Sequence, residues 1–144
     1  MPRNWRIALI LIIGLIGLAA VYVFQRTNYA LFLLQAIGAP DPGENLVFGV
    51  SKTLRMVAND LICFGVLFAI FREKSDRQVA LAVFLAELFI ILPLYLVLKL
   101  NLEGPSEISS PLLSFIHRLI VNPTLMVLTG IALAYQRFVH PSQA

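Results

Sequence analysis

Residues 53–71 read TLRMVANDLICFGVLFAIF. The stretch is apolar and long enough to cross a hydrocarbon core of about 30 Å, which takes roughly 20 helical residues. Yet its first half carries Arg55, Asn59 and Asp60. An ionisable side chain at the centre of a membrane helix costs roughly 3 kcal/mol on insertion scales, so it is expected to have a partner or a task. Arg55 and Asn59 stand four residues apart and project from one helix face, with Asp60 about 100° further round. The stretch therefore predicts a membrane-spanning helix that contributes to a buried polar layer.

Three other runs are long and apolar enough to span: residues 7–24, 79–98 and 112–135. None shows the period-two alternation of outer-membrane strands. With 59% hydrophobic and 13% charged residues and a mean hydropathy of +0.85, the 144 residues leave no room for a soluble domain. The expected fold is all-α, a four-transmembrane-helix bundle forming one integral membrane domain over residues 1–144. Arg3 and Arg6 before the first run invite a signal-peptide reading. The run exceeds a 7–15-residue h-region, however, and Tyr22 and Phe24 continue it without an A-x-A site, so a retained anchor is expected.

Orientation follows from the basic residues. Arg3, Arg6, Arg72, Lys74, Arg77 and Arg137 fall on one side of the four spans, whereas Arg26, Lys52, Arg55 and Lys99 lie towards the other. The positive-inside bias then places both termini in the cytoplasm. The net charge of +3 is explained by that orientation, and no nucleic-acid partner is required. The lipid bilayer, as a bacterial inner membrane crossed several times, is the expected setting.

The connection over residues 25–52 is the only long one. Its segment 27–34 is too apolar for a solvated loop and too short to cross, which suits a short interfacial helix. Residues 38–43, GAPDPG, break any helix. The connection is a structured linker or a lid over the external helix ends. Residues 72–77 form a short charged link, so the second and third spans should be antiparallel neighbours. Residues 101–107 make a breaker-rich turn, and Pro111 suits a helix's first turn. Small residues four apart at Gly65 and Ala69, Ala82 and Ala86, and Gly130 and Ala134 would permit close helix approach in lipid.

The fourth span holds a second polar group: residues 115–123 read FIHRLIVNP. Arg118 and Asn122 again stand four apart, with His117 beside them. Both spans enter from the external side, so the two groups should lie at similar depth, within about two turns of that surface. An Asp60–Arg118 pair would offset the cost of both charges, while Arg55 can snorkel. The layer is either a clamp between helices or a docking site for a polar or anionic group. Glu87, nearer the bilayer middle, is protonated or paired with His117 or Arg118. Pro93 frees the Phe89 carbonyl and should kink the third span; Pro123 should kink the fourth after Leu119. A membrane-embedded glutamate beside a kink makes a small proton-coupled transporter centred on Glu87 the alternative function.

Catalytic and metal motifs are lacking: there is no H-E-x-x-H, no G-x-S-x-G, no phosphate-cradling glycine loop and no cysteine pair. Cys63 is the single cysteine, suited to a small buried apolar role. A set of Cys63, His117 and Arg118 is conceivable. The apolar setting of Cys63, a turn deeper than Asn59, argues against it as a nucleophile. No catalytic residue, cofactor or metal is expected.

Two motifs resemble the small membrane proteins associated with exosortase systems in Bacteroidota. Arg55-Met56-Val57-Ala58-Asn59 is similar to their R-x-x-x-N at the head of a helix. Phe115-Ile116-His117-Arg118-Leu119-Ile120-Val121-Asn122-Pro123 is similar to their second signature, an aromatic residue and a basic pair before a short apolar run, an amide and proline. Length, four spans and the Leu31-Phe32 pair agree; His117 stands in place of an arginine and Asn122 in place of a glutamine. The resemblance implies a non-enzymatic accessory subunit of an exosortase-F- or exosortase-X-type protein-sorting system. Its partner would be a multi-spanning exosortase-like enzyme or that enzyme's substrate tail.

Overall fold

The computed structural model describes residues 3–24, 27–38, 41–106 and 110–139. Arg26, Pro40 and Glu107, which entered the reading of topology and loops, lie outside the described residues. Among the described residues all regular structure is helical: α1 (Arg3–Phe24), α2 (Tyr29–Ala36), α3 (Glu44–Ile70), α4 (Lys74–Ala86), a π-helical segment (Glu87–Ile91), α5 (Leu92–Leu102), α6 (Pro111–Val121) and α7 (Thr124–Val139). Three helical stretches are long and apolar enough to cross a membrane, Asn4–Phe24, Glu44–Ile70 and Lys74–Leu102, and α6 with α7 makes a fourth if the bent pair is one span.

The largest departure from expectation is at α3. It begins at Glu44, well before residue 53, and its 27 residues rise about 40 Å. Gly43 precedes it, and Glu44 places an acid in the first turn, where the helix dipole favours it. Phe48, Lys52, Met56, Asn59, Asp60, Cys63 and Leu67 are buried along one stripe, so residues read as loop continue the core-facing period. Asp60 therefore lies about 24 Å from the start of its helix, fully buried between the helix's two ends.

The stripe passes through two apolar clusters. Met56 packs with Leu92, Tyr95 and Ile120. Cys63 and Leu67 pack with Phe71, Ala80, Met126 and Leu133. Asp60 lies between them. The short link after α3 is closed by Arg77, whose Nε and an Nη donate to the carbonyls of Phe71 and Phe68, each at 3.0 Å. These are helix-end acceptors that a cation suits. Arg137 at the end of α7 bonds Asp76 and pairs with Glu73 at 3.2 Å, tying α7 to the start of α4.

α1 packs on α3 and leaves most of its apolar surface outward; only 6% of its spanning window is buried. The approach is close because Gly14 and Gly17 face Val66 and Ile62: a Cβ at Gly14 would come within 2.5 Å of Val66 Cγ2. Gly130 has the same role in α7 against Leu67, whereas nothing lies within 4 Å of a Cβ at Gly65. Of the small residues singled out from the sequence, Gly130 thus mediates a close approach and Gly65 does not.

Gly14→Leu should push α1 off α3 and cost about 1–3 kcal/mol, the range for overpacking. Gly65→Leu should be close to neutral. Thermal unfolding of both variants in detergent micelles measures the difference.

Candidate functional site

The polar layer of α3 faces two helical stretches that depart from the regular α-helix beside it, one by a bend and one by a π turn. Asn122 precedes Pro123 and adopts φ −90°, ψ 148°, the extended conformation that a following proline imposes. α6 therefore continues to Val121, past Leu119 where the kink was expected, and the α6–α7 pair bends by 59°. The bend leaves carbonyls of the last α6 turn without their helical donors. Asn59 Nδ2 donates to the Val121 carbonyl at 2.9 Å, in a buried bond. In hydrocarbon such a carbonyl has no water to turn to, so Asn59 is the side chain that lets this span break where it does. The bond also joins the two motifs of the sequence, R-x-x-x-N and FIHRLIVNP.

Asp60, one residue round the helix, faces the third span instead. There Pro93 would drive its ring into the Phe89 carbonyl of a regular α-helix. The chain widens into the π segment, in which the Leu92 N–H reaches back to the Glu87 carbonyl. Lys74–Leu102 remains one span, so the expected kink at Pro93 takes the form of a π turn, a feature frequent at functional sites. Glu87 opens that turn, and its side chain and that of Asp60 are both fully buried. The two carboxyls are close enough to interact electrostatically. Among the described residues no donor reaches any of their four oxygens. Carboxylates offer only acceptors, so neither group can satisfy the other without a shared proton.

This geometry corrects two expectations. Asp60 does not pair with Arg118, and Glu87 pairs with neither His117 nor Arg118. Arg118 is exposed on the outer face of α6, and Asn122 is exposed at the bend. The reason is rotational: Leu113, Ile120 and Val121 are the buried residues of α6, and His117 shares their face while Arg118 is turned about 100° away. His117 Nδ1 and the Tyr95 hydroxyl share a 2.7 Å hydrogen bond. Arg55 is half-buried and lines a groove between α3 and the α1–α2 connection.

Sequence reasoning missed three members of the polar column. Tyr95 is 2% exposed and Lys99 1%, one turn apart on α5. Lys99 Nζ donates to Glu103 Oε2 at 2.6 Å, and Glu103 Oε1 accepts from the Ser110 N–H at 2.8 Å, clasping α5 to the start of α6. The Lys99 ammonium, with help from Ser110, holds the Glu103 carboxyl down at about 2. The i, i+4 spacing of Lys99 and Glu103 was a readable signal. Cys63 packs in the apolar cluster one turn from Asp60, within electrostatic reach of both carboxyls. His117 lies beside the other cluster, and the thiol–imidazole–guanidinium set is not assembled. Among the described residues no three His, Cys, Asp or Glu side chains are grouped to hold a metal.

Asn59→Leu removes the donor to Val121 and leaves a buried carbonyl unsatisfied, which should cost about 1–3 kcal/mol. Asn59→Asp should also lose stability, because its carboxyl donates to Val121 only when protonated and otherwise buries a charge beside Asp60. Both are measured as shifts in thermal midpoint in micelles.

Compared with known proteins, the chain matches no family profile, and no characterised protein or solved structure shows significant similarity to it.

Proposed function

We propose that the chain is a non-enzymatic accessory subunit of an exosortase-type protein-sorting system, a four-span protein of the bacterial inner membrane with both termini cytoplasmic. The resemblance of its two motifs to exosortase-associated proteins suggests the system. The observation that carries the accessory role is the outward placement of Arg118 and Asn122 on a bent span. A guanidinium on the outer face of a membrane helix is costly against lipid, and a partner helix bearing a polar group relieves that cost. Asn59 and His117, the inward members of the same motifs, hold the face in shape. The partner is a multi-spanning exosortase-like enzyme or the transmembrane tail of its substrate.

Affinity purification from native membranes in mild detergent tests this directly. The tagged protein should recover an exosortase-like enzyme in near-stoichiometric amount, and Arg118→Ala should reduce that recovery by about tenfold or more, as loss of a central interface arginine does. Equal recovery and unchanged substrate processing with Arg118→Ala would overturn the reading.

A second reading draws on the Asp60–Glu87 pair. Two fully buried carboxyls close to one another, beside a π turn, suit a proton-coupled transporter centred on Glu87. It predicts substrate-driven proton movement in proteoliposomes that Glu87→Gln abolishes. Absence of flux across a broad substrate panel removes its support.

A further inference from the structure

The link between α3 and α4 sorts its charges by side. Its acids, Glu73 and Asp76, are both engaged by Arg137 of α7. Its cations, Arg72, Lys74 and Arg77, instead border a shallow groove of about 320 Å³ between α3 and α4, which no carboxylate lines among the described residues. Arg77 is fixed there: its guanidinium lies 3.8 Å over the Phe68 ring while it donates to the carbonyls that end α3. Arg72 and Lys74 are exposed, and among the described residues no carboxylate pairs with either. Lys74 also opens α4, the positive end of that helix's dipole, where a cation is disfavoured and an anion favoured. The positive-inside bias asks only for basic charge on one side of the membrane. It does not ask that acids face one way and cations another, around an apolar floor.

That floor is Phe64 and Phe68 of α3 with Leu81 of α4. α3 ends at Ile70 and α4 starts at Lys74, so Phe64 and Leu81 lie about 10 Å along their helices from the charged rim. Phe68 and Leu81 are both exposed, as is Leu85 one turn beyond. Both helices belong to stretches long and apolar enough to cross a membrane, so the rim sits at headgroup level and the floor meets acyl chains. An occupant that fits carries negative charge at one end and hydrocarbon at the other. Arginine and lysine both bind phosphate oxygens, and basic pockets between membrane helices take acidic lipid headgroups. We infer that the groove between α3 and α4 binds an anionic phospholipid, with Arg72 and Lys74 on the headgroup, Arg77 as a fixed third charge, and an acyl chain along Phe68 and Leu81. No residue of the groove belongs to the two signature motifs, so the site stands or falls independently of the partner proposed above.

The test is native mass spectrometry of the full-length protein in detergent with phosphatidylglycerol or phosphatidylcholine added. Phosphatidylglycerol should bind at least about fivefold more tightly. Arg72→Gln and Lys74→Gln should each lower its binding by about fivefold, the contribution of one basic charge near a lipid phosphate. Lys74→Arg should keep the preference. Arg6→Gln removes an exposed cation at the start of α1, outside the groove, and should leave the preference intact. Equal binding of the two lipids, a preference unaltered in both glutamine variants of the link, or an equal loss in Arg6→Gln overturns the proposal. Displacement of phosphatidylglycerol by millimolar inorganic phosphate would assign the groove to a soluble anion and overturn the lipid. Should the link variants fail to fold, the comparison of lipids on the unaltered protein decides alone. None of these outcomes depends on an exosortase being recovered.

Discussion

The interior of a bilayer offers no water to a stray carbonyl or carboxyl, and each polar group in this bundle is placed by that constraint. It bears hardest on the bent α6–α7 pair. Pro123 removes one backbone donor and forces Asn122 out of the helical region, so the chain must turn and its last α6 carbonyls must be met from elsewhere. The amide of Asn59 meets one of them at Val121. That bond sets α6 against the middle of α3, and with it the depth of Ile120 in the cluster of Met56, Leu92 and Tyr95. Tyr95 and His117 then meet on the same side.

The third span solves the same problem differently. A widened turn takes up Pro93 without breaking the helix, and the extra residue rotates Glu87 into the core. Its partner is Asp60, because Asn59 and Asp60 point about 100° apart on α3 and so address different neighbours. Asn59 takes the fourth span, and Asp60 takes the third. Two carboxyls side by side in the core each carry a desolvation cost, and as acceptors neither can offset it for the other without a shared proton. The pair sits at the seam between two apolar clusters, where neither cluster is interrupted.

Much of this was legible in the residues. The all-helical class, the spanning helices near residues 7–24 and 79–98, and a short helix after the first of them follow from run length and breakers alone. The start of α3 was not, because Glu44, Asn45, Ser51 and Lys52 look like loop while Phe48, Lys52 and Met56 continue a buried face at spacings of four. Long cationic side chains near helix ends read as snorkelling groups, which hid Lys52 and Lys99. The orientation of α6 was readable in principle: Leu113, Ile120 and Val121 fall at i, i+7 and i+8, a face that includes position 117 and leaves out 118. The π turn was not readable. Pro93 announces that a carbonyl is freed, but which turn widens depends on packing against Asp60.

The two signature motifs therefore divide by direction rather than by residue type. Asn59 and His117 spend their hydrogen bonds inside the bundle, on Val121 and Tyr95. Arg118 and Asn122 are turned out by the same helix that turns those groups in. Fold stability alone accounts for the inward pair, since each satisfies a group that hydrocarbon cannot. It gives no reason for a guanidinium on the outer face, where leucine would be cheaper in lipid. On the accessory-subunit proposal, a residue that contributes nothing to the interior is explained by a partner outside it. On that proposal it is this asymmetry, more than the presence of charge in the membrane, that distinguishes an interaction surface from a structural clamp.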